Sequence, residues 1–282
     1  MDINRRRGDM VEFVDADTAP ARNTGQVRLY NEAAFEAMHK AGGLAAQCLD
    51  ALEDMIEPGV TTQAIDEFVM DFAKQHDVLP ATLYYRGFRH STCTSINHVV
   101  CHGIPAQKAL REGDILNVDV TFIRDGWHGD SSRMYRVGQV RRAADRLLKV
   151  TLKALQIGIE AVKPGNTTGD IGAAIQDYVE SERCSVVREF CGHGVGRLFH
   201  DMPNILHYGR AGDGVRLQKG MIFTIEPMVN LGRPHVKVLS DGWTAVTRDR
   251  SLSAQYEHTI GVTESGCEIF TASERLDAAA SA

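Results

Sequence analysis

The chain has no CxxC pair, no long apolar run and no excess of positive charge. Each gap excludes something. The six cysteines (48, 93, 101, 184, 191 and 267) are scattered, which argues against a thiolate zinc site and for reduced thiols in a cytoplasmic protein. No window approaches the roughly 18 apolar residues of a membrane span. The basic N-terminus, MDINRRRGDMVEF, has no apolar stretch behind it, so a signal peptide is not expected. A net charge of −6 speaks against a specific nucleic-acid binder. PxxP and zinc-finger patterns are missing from the N-terminal stretch, so no partner is assigned to it. What remains, 282 residues with 43% hydrophobic and 24% charged side chains, is ordinary for a globular chain of one large domain or two modest ones.

Residues 1–28 are polar and of mixed charge, and are expected to form a flexible or surface-wrapped extension. Arg5–Arg6–Arg7 is a candidate for a transient touch on ribosomal RNA, against the commoner reading of a solvated tail. From Asn31 to Met55 apolar residues recur at helical spacing. Pro58–Gly59 stops that helix, and Thr61–Thr62 caps a second one carrying Ile65, Phe68, Val69 and Phe72. The plan then recurs. A helix over 148–162 is followed by Pro164–Gly165–Asn166–Thr167–Thr168 and a helix with Ile171, Ile175 and Tyr178. The two Pro-Gly-x-Thr-Thr motifs lie 106 residues apart, with Ile65 matching Ile171 and Phe72 matching Tyr178. Chance recurrence of a helix-start signal is the bland explanation; an internal duplication is preferred, with a site at the seam between the halves. Beyond 185 the chain is strand-rich, including strands over 221–225, 236–239, 243–246, 254–262 and 267–270. The expected class is α+β, with helices packed on a curved, mostly antiparallel sheet.

The organising stretch runs from Ile115 to Ser132. β-Branched residues fill its first arm, Asp125–Gly126 is a strong hairpin-turn signal, and Asp119 and Asp130 fall nearly opposite one another. Two such carboxylates flanked by valines need a compensating cation, unless both sit exposed on an edge hairpin. His193 stands among glycines in Cys191–Gly192–His193–Gly194–Val195–Gly196, Glu226 ends an apolar strand, and Glu257 lies among strand-forming residues. Asp119, Asp130, His193, Glu226 and Glu257 exceed what one metal needs and suit two divalent ions. An oxygen-rich set favours Mn, Fe, Co or Zn, without choosing among them. A bridging water would serve as nucleophile for amide or ester hydrolysis. Glu226 is the candidate proton relay, and neutral His102 and His200 are candidates to stabilise a tetrahedral intermediate. Ordinary structural roles are expected for His39, His76, His90 and His207.

These motifs, joined by Val100–Cys101–His102–Gly103–Ile104–Pro105 and Ser253–Ala254–Gln255–Tyr256–Glu257–His258, resemble those of type I methionine aminopeptidases over roughly residues 31–272. The resemblance implies a pita-bread fold. It implies bridging of two metals by Asp130 and Glu257, and binding of the substrate amine on the Asp119 side. It makes His102 and His200 substrate contacts, and Tyr85, Phe88, Cys93 and Trp243 the methionine pocket. The reaction implied is cytoplasmic removal of the initiator methionine from nascent polypeptides when the second residue is small, by a monomer that needs neither membrane nor specific nucleic acid. Thr82, His98 and Met202 depart from common family residues and bear on fine specificity. The expected boundaries are an extension over 1–28, one catalytic domain over 29–274 and a disordered tail over 275–282. An aminopeptidase P or prolidase-like enzyme, and a catalytically silent binding protein, are the competing readings.

Overall fold

A computed structural model describes residues 11–280; the arginine triplet at 5–7 lies outside the described residues. Each half contains a helix pair, and three of the four helices are capped by a side chain. Asn31 accepts the Ala34 N–H through its side chain and opens α1 (Glu32–Leu52), and Thr61 accepts the Ala64 N–H and opens α2 (Thr62–Gln75). In the second half come α3 (Arg142–Glu160) and α4 (Thr168–Ser181), the latter opened by a reciprocal capping box between Thr167 and Asp170. α3 starts earlier than residue 148 because Ala144 and Leu147 continue its buried stripe.

The two repeat motifs are held alike. Gly59 N–H donates to Leu110 O and Gly165 N–H to Leu217 O; Leu110 N–H returns to Val60 O and Leu217 N–H to Asn166 O. Isolated bridges join Thr61 to Ala109 and Thr167 to Arg216. Such matched pairing far apart in sequence is what a duplicated unit produces, and chance recurrence of a helix start is not.

The long hairpin pairs Ile115–Arg124 with Trp127–Arg136, closed by Asp125 and Gly126, both at positive φ (51° and 79°) as a tight two-residue turn requires. Val118, Val120 and Phe122 point from one face into a core shared with α1 and α2. Asp119 and Thr121 point from the other. The largest sheet has seven strands, in the order Phe13–Asp15, Val27–Leu29, Asp201–Ile205, Gly192–Gly194, Ile222–Ile225, His258–Val262 and Cys267–Ile269. Its other face packs on α3 and α4 through a second core that includes Leu147, Leu155, Ile171, Ile175, Phe223 and Ile225. Pairing is antiparallel except among the first three strands.

Some expectations need correction. The boundary at residue 28 falls inside the strand Val27–Leu29, whose Val27 and Arg28 are buried, so the folded unit begins before it. Residues 274–280 form α5 (Glu274–Ala280), with Leu276 buried and Arg275 hydrogen-bonded to Asp50 O and Asp54, in place of a disordered tail from 275. The single strand expected over 254–262 is two, Ser253–Gln255 and His258–Val262, and the strands Gly192–Gly194 and Asp201–Ile205 were not anticipated.

Candidate metal centre and substrate cavity

The break at Tyr256–Glu257 has a counterpart. Ile222–Ile225 pairs with His258–Val262 up to Ile225 opposite His258, and the ladder resumes with Met228 opposite Gln255. Both strands therefore interrupt at one level, bringing Glu226 and Glu257 to the same gap. Across the cavity, the hairpin register sets Asp130 opposite Thr121 and Asp119 opposite Ser132. The two aspartates are thus diagonal neighbours on one face, two residues out of direct opposition. Asp119 lies opposite Cys93 of the strand Cys93–Ile96.

His193 completes the set from the strand Gly192–Gly194. Its flanking glycines do not have unusual φ values; a Cβ on either would run into the backbone of Thr224 or Met202, because this strand is wedged between two close neighbours. His193 Nδ1 lies 3.1 Å from the carbonyl of Gly194, which can only accept, so Nδ1 carries the proton. The bare Nε2 then faces Asp130 Oδ2 at 3.7 Å and Glu226 Oε1 at 3.6 Å. Ligand atoms of Asp130, His193 and Glu257 all lie within 4.8 Å of one another.

The carboxylates are fixed from behind. Thr121 Oγ1 donates to Asp130 at 2.6 Å. Thr224 Oγ1 accepts the His193 N–H at 3.0 Å and donates to Glu226 Oε1 at 2.8 Å, while Gln255 donates to the other Glu226 oxygen at 3.1 Å. No lysine or arginine enters this cluster among the described residues. Burial, and then mutual repulsion, push Asp130, Glu226 and Glu257 well above the usual carboxylate range; burial pushes Asp119 to about 7. Burial drives His193 down to about 4, leaving the imidazole neutral and free to coordinate. Carboxyl groups crowded without a counter-charge, facing an unprotonated imidazole nitrogen, fit divalent cations, whose charge would hold them ionised.

The cluster forms the floor of a cavity of about 320 Å³. The other candidate site residues, His102, His200, Tyr85, Phe88, Cys93 and Trp243, also line it, as does Thr82, whereas His98 and Met202 do not. Phe88 meets Trp243 edge to face at 5.1 Å, and Tyr85 stacks on His200 at 5.1 Å. His102 is held at φ 56°, a strained backbone angle that persists only where its surroundings impose it. Burial lowers the pKa of both His102 and His200, with His193 and Arg86 adding to the effect on His200.

Sequence reasoning missed other contributors. His207, fully buried, accepts the Glu226 backbone N–H through Nε2 at 3.0 Å; nothing in its local sequence signals this. Thr224 and Gln255 were discoverable: Thr224 stands two residues before Glu226, hence on the same side of an extended chain, and Gln255 lies two before Glu257. Phe199 and Arg86 also line the cavity. All six cysteines are free.

Residues 36–264 match metallopeptidase family M24. A methionine aminopeptidase of Rickettsia prowazekii is 54% identical over 254 residues, covering 89% of this chain and 98% of that protein. A crystal structure of methionine aminopeptidase from Rickettsia prowazekii superposes with a TM-score of 0.87, covering 88% of this chain and 100% of that one. One from Thermotoga maritima, 42% identical, does so with a TM-score of 0.86 over 88% of this chain and 100% of that one.

Proposed function

The chain belongs to metallopeptidase family M24 and has its pita-bread fold, and from this we propose that it hydrolyses the bond after an N-terminal methionine in peptides whose second residue is small. One observation carries the proposal. A carboxylate-rich cluster without a protein counter-charge forms the floor of a cavity whose wall is an aromatic slot with a cysteine sulfur. An unbranched thioether side chain suits such a slot.

Two divalent ions, drawn from Mn, Fe, Co or Zn, would be held by Asp119, Asp130, His193, Glu226 and Glu257. Bound there, they supply Lewis-acid polarisation of the scissile carbonyl and acidify the attacking water. The chain's own groups do the rest. Tyr85, Phe88, Cys93 and Trp243 seat the methionine side chain, and the carboxylate of Asp119 marks the end of the cavity for the substrate's amine. Glu226, steadied by Thr224, Gln255 and His207, takes the proton of the attacking water and returns it to the leaving amine. His102 and His200, neutral, donate N–H groups to the carbonyl oxygen as it gains charge. No helix among the described residues is long and apolar enough to cross a membrane. A monomer in the cytoplasm, meeting nascent chains through a passing ribosome contact, fits the proposed substrate.

The test is hydrolysis of Met-Xaa-Ser peptides across defined metals, with a chelator control. Cleavage of Met-Ala-Ser that the chelator abolishes is expected. Preference for Ala-Pro peptides would instead indicate a prolidase-like enzyme, and metal binding without any hydrolysis a binding protein.

A further inference from the structure

The strand Val27–Leu29 lies next to the edge strand Phe13–Asp15 of the seven-stranded sheet and lines no part of the cavity. It nevertheless reaches the segment that does. Arg28 Nε donates to Asp201 Oδ2 at 2.6 Å, and both residues are 5% exposed. The same guanidinium donates through Nη2 to Pro20 O at 2.6 Å and Arg22 O at 2.9 Å. Asp201 directly follows His200, and Met202 pairs with Val27. Two residues from Arg28, Tyr30 holds the other end of the segment. Its ring meets Trp127 at 5.5 Å, and it packs over Gly196 so closely that a Cβ there would lie 2.6 Å from the hydroxyl. Between these two grips stand Phe199 and His200, both on the cavity wall.

A buried ion pair contributes little net stability, because desolvation offsets its attraction. Its strength is directional: a guanidinium fork accepts few geometries. Here the fork joins three chain segments, 20–22, 28 and 201, of which only the last adjoins the cavity. We propose that Arg28 is a positioning residue for His200: with Tyr30 it clamps both ends of segment 197–201, and residues 20–22 complete the guanidinium's socket. This rests on the role given to His200 above. The N-terminal segment is therefore part of the catalytic apparatus, although it touches no substrate.

The experiment uses the full-length, metal-loaded protein with Met-Ala-Ser. Arg28→Met is expected to lower kcat about tenfold, inside the range that an ångström of misplacement can cost, with KM within about twofold and metal content unchanged. Amide hydrogen exchange over 197–201 quickens while that of 222–225 stays as in the wild type. Arg28→Lys, which keeps the charge but loses the fork, recovers part of kcat. Should Arg28→Met fail to fold, Asp201→Asn carries the same expectations, since it keeps the shape and removes the charge. Unchanged kcat and unchanged exchange over 197–201 would overturn the proposal. So would a loss of kcat matched by metal loss or by equal quickening at 222–225, which would make the pair a fold support only. Exchange needs no turnover, so a wild-type chain inactive on every methionine peptide would remove the functional reading and leave the clamp to be decided by exchange alone.

Discussion

Among the described residues carboxylates are buried in two kinds of setting, and they are treated differently. Asp201 is matched to Arg28 at 2.6 Å, and Asp66 receives hydrogen bonds from Ser91 N–H and Oγ and lies 2.8 Å from His90 Nδ1. The cavity floor gathers Asp119, Asp130, Glu226 and Glu257 with hydroxyl and amide donors but no cationic side chain. Burying a lone carboxylate is costly, and burying several together more so. The chain supplies Asp201 and Asp66 with partners of its own. Where it withholds a cationic side chain, the acids are available to an ion from outside.

That contrast can be broken experimentally. Asp130→Asn should reduce turnover on the order of 10³-fold, about 4 kcal/mol of barrier at 1.36 kcal/mol per decade, with loss of bound metal by elemental analysis. In chelator-treated protein the same change should raise the melting temperature, because it removes repulsion; a drop there would contradict the electrostatic account. Asp201→Ala should destabilise by about 3–5 kcal/mol with or without chelator, since it strands a buried guanidinium. Denaturant titration in both conditions reads this, and a metal-dependent loss would blur the distinction between the two places. His207→Leu should cost about 1–3 kcal/mol by orphaning the Glu226 N–H and should slow turnover without abolishing metal binding.

The pH dependence follows from the raised carboxylates. A group whose folded pKa lies above its unfolded one stabilises the fold below the unfolded value and loses that contribution as pH climbs through the folded one. With Asp119 at about 7 and its neighbours pushed upward, chelator-treated protein should weaken between pH 7 and pH 8. The expected slope is about 1.4 kcal/mol per pH unit for each proton released. The buried histidines, their pKa values lowered, are neutral in both states across that window and do not oppose it. Urea titration at the two pH values, with metal-loaded protein as the control, measures the slope; a flat response in the chelated form would mean the floor is already neutralised. The smallest effect belongs to Thr167→Ala. Loss of the α4 cap should cost about 1 kcal/mol and leave turnover on Met-Ala-Ser unchanged.

Much of the site was legible because its residues sit in short local patterns. A two-residue turn fixes the hairpin, and alternation then puts Asp119 and Asp130 on the face opposite Val118 and Val120. The exact register was harder: counting from the turn puts the two nearly opposite, whereas they are diagonal, two pairs apart on the ladder. The two Pro-Gly-x-Thr-Thr motifs declared the duplication, since cap chemistry is local. Strands of three and five residues at 192–194 and 201–205 carry too few side chains to show a period, and the glycines that flank His193 answer to the backbone of other strands. His207 and Arg28 left no local mark, because each acts through one contact made across the fold.

Residue order alone determined which groups could be ligands, where helices start and that the plan is repeated, because caps, turns and side-chain alternation depend on neighbours within a few positions. Tertiary structure alone decided that two strands break at the same level to bring Glu226 to Glu257. It also decided that the N-terminal segment grips the loop bearing His200 and that the acids of the floor receive no protein cation. Those outcomes depend on distances between residues 31 positions apart (Glu226 and Glu257) to 173 apart (Arg28 and Asp201), and such distances exist only once the chain has closed on itself.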